Sequence, residues 1–270
     1  MSGPVDPELT SAGMYVYLLG GDACTDKERA AAEGILQIAP ELRDGAWANR
    51  GFLQRAARWM AGEGIEQFLD LGAGLPTGEN THQVVQQVNP QARVVYVDND
   101  PRVLARSEAL LAEQGVTTAR SITADLRDPS KVLSHPDVRE LIDFSRPVGV
   151  LMVAVLHFIA DDDEVHRLVN AYTAAAAPGS LFAISHATDE GVPEESMARV
   201  LDLYNRMGEV KVRGRAAMEQ LFTGAGLDLA PIYEDGERSV THIGIWGAED
   251  ADAAHTLGSA WGYCGVGQKP

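Results

Sequence analysis

Cysteine is nearly missing from this chain: Cys24 and Cys264 are the only two in 270 residues, and they form no C-x-x-C pair. That excludes a disulfide framework and a structural zinc site of the usual spacing, and a reducing, cytoplasmic setting is expected. Basic residues are scarce as well, 22 Lys and Arg against 39 Asp and Glu, for a formal charge of −17. A surface that grips nucleic acid or an anionic membrane neutralises phosphates with clustered cations, so neither is expected as a partner. The longest apolar run, Pro147 to Ala160, is too short and broken to span a bilayer, and Met1 to Thr10 carry no export pattern. There is no internal repeat, no zinc-like cluster and no readable constellation of Ser, His and Asp, so neither metal nor covalent catalysis is expected. What remains is a chain long enough to bury one good core, acting on a small molecule, in an oligomeric state the sequence leaves open.

The chain is organised around Phe68-Leu69-Asp70-Leu71-Gly72-Ala73-Gly74-Leu75-Pro76, an apolar strand that runs through an acid into a glycine turn. Two glycines spaced by one residue after a strand let the backbone turn sharply and let a ligand approach where a Cβ would collide. A dinucleotide fingerprint wants a third glycine where Thr77 stands, which disfavours a nucleotide-linked oxidoreductase. Asp70 also places a carboxylate at the turn, where it repels phosphate and favours a cation; a sulfonium fits better. Two further strand-like runs end in acids, Arg93 to Val97 before Asp98 and Ser121 to Ala124 before Asp125. In an open parallel sheet ligands bind at the carboxyl ends of the strands, so these acids line one crevice. Asp98 stands 24 residues after Gly74, the spacing at which an acid takes the two ribose hydroxyls of a nucleoside, and Asp125 then faces the base.

Alternating patterns predict an α/β fold, a Rossmann-like, seven-stranded and mostly parallel sheet with helices on both faces. Residues 1–66 form an N-terminal helical extension or lid, with helices over Thr25 to Ile38 and Gly45 to Ala61. Residues 67–250 are the main domain and 251–270 a tail packed on it. Val148 to Val153 reads as the central fourth strand and Leu181 to His186 as the fifth. Asp161 to Glu164 reads as a helix cap, with a magnesium site as the alternative. Residues 187–210 form a helical insertion, a lid or substrate wall, and Leu227 to Tyr233 with Val240 to Trp246 read as a closing antiparallel hairpin around Glu234 to Glu237.

The order D-x-G-x-G, then V-D, then A-D resembles the class I S-adenosylmethionine-dependent methyltransferases. Longer strings resemble one actinobacterial S-adenosyl methyltransferase family catalogued as a domain of unknown function: Tyr17 to Gly21, Ala48-Asn49-Arg50, Phe68 to Thr77, Val94 to Asp100, Ala124 to Pro129, Val153 to Phe158, Ser185 to Thr188 and the Gly265-Val266-Gly267 ending. The chain departs from that family at Val16, where an acid usually stands between the tyrosines, and at Cys24-Thr25. The resemblance implies S-adenosyl-L-methionine as cofactor and S-adenosyl-L-homocysteine as product. It implies Asp98 on the ribose with Asn99 beside the adenosine, Asp125 on the adenine amino group with the Leu126 backbone on a ring nitrogen, and Asp70 near the methionine end. Gly72, Ala73 and Gly74 form the turn, and Ala154 and Val155 line the pocket.

Arg50 matches the cofactor's carboxylate with two hydrogen bonds, or is a surface ion pair. Tyr15 and Tyr17 touch the ligand or only pack on the sheet. His157, just past the fourth strand, is the candidate general base, with a packed structural histidine as the alternative and His186 as a second candidate. The expected function is methyl transfer to an unidentified small-molecule nucleophile; the alternative is a protein that binds S-adenosylmethionine or S-adenosylhomocysteine without turnover, as a sensor.

Overall fold

A computed structural model describes residues 9–206, 208–233 and 236–270. The export reading of residues 1–10 therefore falls mostly outside the described residues, as does the turn at Glu234-Asp235. In chain order the elements are α1 (Ser11–Leu18), α2 (Asp26–Ile38), α3 (Leu42–Gly62), β1 (Gln67–Leu71), α4 (Thr81–Val88), β2 (Arg93–Asp98), α5 (Pro101–Glu113), β3 (Ala119–Thr123), α6 (Pro129–Ser134), α7 (Pro136–Leu141), β4 (Gly149–Val153), α8 (Asp162–Ala175), β5 (Leu181–Ala187), α9 (Glu194–Tyr204), α10 (Arg215–Thr223), β6 (Asp228–Leu229), β7 (Thr241–His242), α11 (Ala251–Ala254) and β8 (Gly262–Gln268). None of the helices is long and apolar enough to cross a membrane.

The sheet runs β3-β2-β1-β4-β5-β8-β6, with β7 also on β8. The first five strands are parallel, and β8 is antiparallel to all its neighbours. Alternation along the strands fills two apolar layers. Leu69, Leu71, Val95, Val97, Val150 and Met152 face α6, α7, α8 and α10. Phe68, Val94, Tyr96, Leu151 and Val153 face α3, α4 and α5. Because both faces are covered, β1 and β4 are buried throughout, which is why they read as continuous apolar runs.

The expected α/β fold is present, with antiparallel strands at the carboxyl end, but two details of that end differ. The runs 227–233 and 240–246 do not pair with each other. β6 pairs with Gln268 and Gly267, and β7 further along the same edge with Cys264 and Tyr263. They are two short stretches of one interrupted edge strand, so eight strand segments fill seven positions. The expected packed tail takes part in the sheet itself: residues 262–268 insert between β5 and that edge, paired with β5 over seven residues.

The extension is knitted onto the sheet by a third apolar cluster, in which Met14, Leu18 and Ile35 meet Met197, Val200 and Trp261. α1 is an unexpected helix, capped by Thr10, whose Oγ1 accepts from Gly13 N. α2 starts in a capping box between Thr25 and Glu28. Glu28 is fully buried, and its carboxylate also accepts from Thr10 and from Arg102 Nη2 at 2.9 Å. Burial alone would raise its pKa, but these bonds outweigh it and hold the group below the usual range. Arg102 binds Asp100 as well, so the loop after β2 is tied to both amino-terminal helices. Asp161 caps α8 through Glu164 N, as expected.

Candidate active site

Gly72 and Gly74 both adopt positive φ, 74° and 67°, and a Cβ on Gly72 would collide with the Val155 side chain. The turn is thus a conformation few other residues adopt, pressed against the end of β4. Gly72 N donates to Val97 O, and Gly74 N donates to Asp98 Oδ2 at 2.9 Å. Asp98 Oδ1 accepts from Asp100 N at 2.9 Å. Burial raises the Asp98 carboxyl above its ordinary pKa, with the backbone donors working against it. A carboxylate has about four lone-pair sites, so two remain to accept hydroxyls.

One cavity of about 540 Å³ begins at this turn and runs past the ends of β2, β3 and β4. Of the predicted residues, Gly72, Ala73, Gly74, Asp98, Asn99, Asp125, Leu126, Ala154, Val155, Tyr15, Arg50 and His157 line it. Asp125 is not a free acid, because Arg127 grips it at 2.6–3.0 Å and holds its pKa down. The Leu126 carbonyl accepts from Tyr172 OH, which pins that loop.

Two predicted residues lie elsewhere. Tyr17 is two positions from Tyr15 on a helix, so it points the other way: its OH donates to Glu33 Oε1 at 2.8 Å and its ring sits beside Arg43. Asp70 shares the strand face of Phe68 rather than that of Leu69 and Leu71, which turns it behind the turn toward α4, away from the large cavity. There it accepts from Thr81 Oγ1 at 2.6 Å. Burial pushes Asp70 up to about 6, the Thr81 hydrogen bond working against the shift. Because its pKa is higher folded than in an unfolded chain, about 3.9, the folded state holds the extra proton between those values. Stability is therefore lost as pH rises from about 4 to 6, by about 2–3 kcal/mol for this group. Asp70→Asn is expected to narrow the difference in urea stability between pH 4.5 and 7.5 by that order, and an unchanged difference would show that the carboxylate is ionised at little cost.

Polar atoms around the turn fit a polar ligand end. Arg50 Nη2 donates to Glu79 O at 2.8 Å and Gly78 O at 3.2 Å, while its Nε is buried without a hydrogen-bond partner among the described residues. Thr77 Oγ1, just past the turn, is likewise buried and unpartnered. Leaving such a group unpaired costs about 1–3 kcal/mol, a cost a bound amino-acid moiety would remove at Arg50, which lines the cavity, whereas Thr77 does not line it. Arg50 is therefore not a surface ion pair. Glu79 and Ala154 are the two non-glycine residues with positive φ among those described, so backbone strain concentrates here.

Ala154 is held by a chain the sequence did not reveal. Its N–H donates to Ser185 Oγ at 2.9 Å, Ser185 donates to Asn49 Oδ1 at 2.6 Å, Asn49 Nδ2 donates to Tyr15 OH, and Tyr15 donates to Ala46 O. It joins β4, β5, α3 and α1 beside the turn. Ser185 and Asn49 lie in strings that carry the family resemblance, which is the signal that marks them.

His157 sits in a 3₁₀ turn after β4, 5.6 Å from the His186 ring. Its Nδ1 is buried without a partner, and neither ring nitrogen hydrogen-bonds to a described residue. Burial, then the neighbouring His186 and Arg213, push it down to about 3, so it is a neutral imidazole. His186 is not a second base. One ring nitrogen, Nδ1, is 2.8 Å from Ala187 O, and Nε2 accepts from Arg213 Nη1 at 2.8 Å. Arg213, also missed, is buried and donates to Ile159 O and Leu156 O, fixing the loop that carries His157.

A glycine turn at a parallel strand end, an acid at the end of the next strand and a cavity continuing beyond them fit an S-adenosylmethionine-dependent methyltransferase. The chain belongs to the S-adenosyl methyltransferase family, whose model it matches over residues 5–270. It is similar to a Thermobifida fusca protein described as a methyltransferase, at 40% identity over 98% of this chain and 96% of that one, with a TM-score of 0.87. A Streptomyces avermitilis protein from a family of unknown function is 34% identical over 97% and 98%, also at 0.87. The S-adenosylmethionine-dependent methyltransferase SibL shares the fold at 16% identity, over 95% of this chain and 62% of that one, at 0.53. No curated protein matches the chain. S-adenosylmethionine is the cofactor, and the oxidoreductase reading falls away.

Proposed function

We propose that this methyltransferase acts on a small-molecule nucleophile enclosed between the strand ends and the amino-terminal helices. One observation carries this reading: the cavity continues from the glycine turn and Asp98 into a chamber walled by α1, α3 and α9. The bound cofactor supplies an electrophilic sulfonium methyl. The residues here bind and orient it: Asp98 for the ribose, the Leu126 backbone for the base, Arg50 for the amino-acid end. Ala154 and Val155 form the floor where donor half and acceptor half meet. Catalysis then rests chiefly on holding the two reactants in line and excluding water. No observation favours binding without turnover. Calorimetry with S-adenosylmethionine, followed by release of S-adenosylhomocysteine with extracts fractionated by size, tests the reading. Turnover confined to macromolecular fractions would reject it.

Residues 1–66 act in this proposal as the wall of the chamber. Deleting residues 1–45 removes α1, α2 and Tyr15, and is expected to cut cofactor affinity at least tenfold and expose the apolar partners on α9. Removing Thr10 and the buried Glu28 also unties Arg102, and with it the loop after Asp98, from the amino-terminal helices. A soluble truncated protein with parental affinity would reject the wall.

A further inference from the structure

Beyond the strand ends the cavity changes character. Its donor half carries the acids and the backbone groups, whereas the far half is walled by Leu18, Phe158, Met197, Val200, Tyr204 and Trp261. The charges nearby are already spent. Arg127 is paired with Asp125, and Arg50, held only by neutral oxygens, lies at the donor end and is kept for the carboxylate of the cofactor itself. Lys211 and Arg213 both bind Asp162. The exposed Glu209 is the one acid from this side. Among the described residues that line the far half, no free cation awaits a carboxylate or phosphate on the acceptor, whose burial without one would be costly. Apart from the exposed Glu209, the side chains of this half with a polar atom and no hydrogen bond to a described residue are His157, Tyr204 and Trp261, and because the His157 Nδ1 is sealed off, Nε2 is the nitrogen a ligand can reach. Burial pushes the Tyr204 phenol up to about 12, so it remains a donor.

We propose that the methyl acceptor is a phenol-type molecule, an uncharged apolar ring bearing an acidic hydroxyl, with the ring between Phe158, Tyr204 and α9 and the hydroxyl on His157. This rests on the methyl-transfer reading and names its substrate class. Geometry places the imidazole beside the junction with the donor half, and the chamber supplies apolar and aromatic walls. The acidity of the hydroxyl follows from the surroundings of His157. An imidazolium there is opposed by burial and by the Arg213 guanidinium, so His157 is a weak proton acceptor. An aliphatic alcohol, like water an acid of about 16, would give up its proton far less readily than a phenol, near 10 as in tyrosine. On transfer the phenol oxygen gains the bond to the methyl carbon. The carbon–sulfur bond breaks with its electron pair left on sulfur, and the hydroxyl proton passes to His157 Nε2 and is lost to solvent on product release.

Calorimetry in saturating S-adenosylhomocysteine, comparing 2-naphthol, naphthalene and 2-naphthoate, tests the class without turnover. Naphthol is expected to bind roughly tenfold more tightly than naphthalene, the worth of one good hydrogen bond, and naphthoate more weakly than either. His157→Leu should erase the advantage of naphthol over naphthalene and leave S-adenosylhomocysteine affinity in place. Val200→Trp, which fills the chamber without touching His157, should remove both ring compounds and guards against a misfolded first variant. Naphthoate binding as tightly as naphthol, or a naphthol advantage that survives His157→Leu, would overturn the proposal while methyl transfer stands. Failure of S-adenosylhomocysteine itself to bind would overturn both.

Discussion

Replacing Asp98 with alanine is expected to weaken S-adenosylmethionine binding by roughly one to two decades while the fold persists. The carboxylate sits at the end of β2, facing the cavity, and its remaining lone pairs suit the two ribose hydroxyls. Losing charge-assisted hydrogen bonds of that kind costs about 1.5–3 kcal/mol. A second loss adds to it, because the same carboxylate holds Gly74 N and Asp100 N and so sets the distance between the glycine turn and the loop beyond β2. Melting should change little, since burial already opposes the charged form. Calorimetric titration of the variant beside a thermal melt is the measurement. A variant that melts and binds like the parent would show that this strand end does not hold the ribose.

Arg213→Met is expected to destabilise the protein by on the order of 2–4 kcal/mol, since the carbonyls of Ile159 and Leu156 and the Nε2 of His186 each lose a buried donor. For a chain of this size that is a fall of roughly 5–10 °C in melting temperature. Asp162 matters less, being about half exposed and still paired with Lys211. The loop after β4 should loosen as well, so loss of ring-compound binding in the acceptor half should exceed any loss of cofactor binding. An unchanged melt would mean that water satisfies those carbonyls and that the guanidinium does not fix the loop.

The parallel half of the fold was legible because its strands are covered on both faces. Burial made Leu69, Val95 and Val150 and their neighbours into uninterrupted apolar runs, and the acids that close those runs stood out by contrast. The edge was illegible for the opposite reason. β6 and β7 pair over two residues each, too short to leave an alternation, and β8 is glycine-rich, which reads as a loop. Tyr17 was misplaced because α1 was not recognised as a helix. Read as loop, both tyrosines point anywhere; on a helix, positions two apart point to opposite sides. Asp70 was misassigned by proximity to the turn, although strand alternation with Phe68 already placed it on the α4 face. Ser185 with Asn49, 136 residues apart, and Arg213 with the His157 loop are contacts of the folded chain that no local pattern encodes.

The insertion of β8 between β5 and the interrupted edge strand sets the order in which this protein is completed during synthesis. The donor half of the site, from the glycine turn to His157, is synthesised well before residues 262–268. Until they arrive β5 presents an open edge, with seven residues of unpaired backbone able to recruit a strand from another nascent chain. A chain released short of Gly262 would thus carry the donor half of the site on a sheet whose β5 edge is still adhesive.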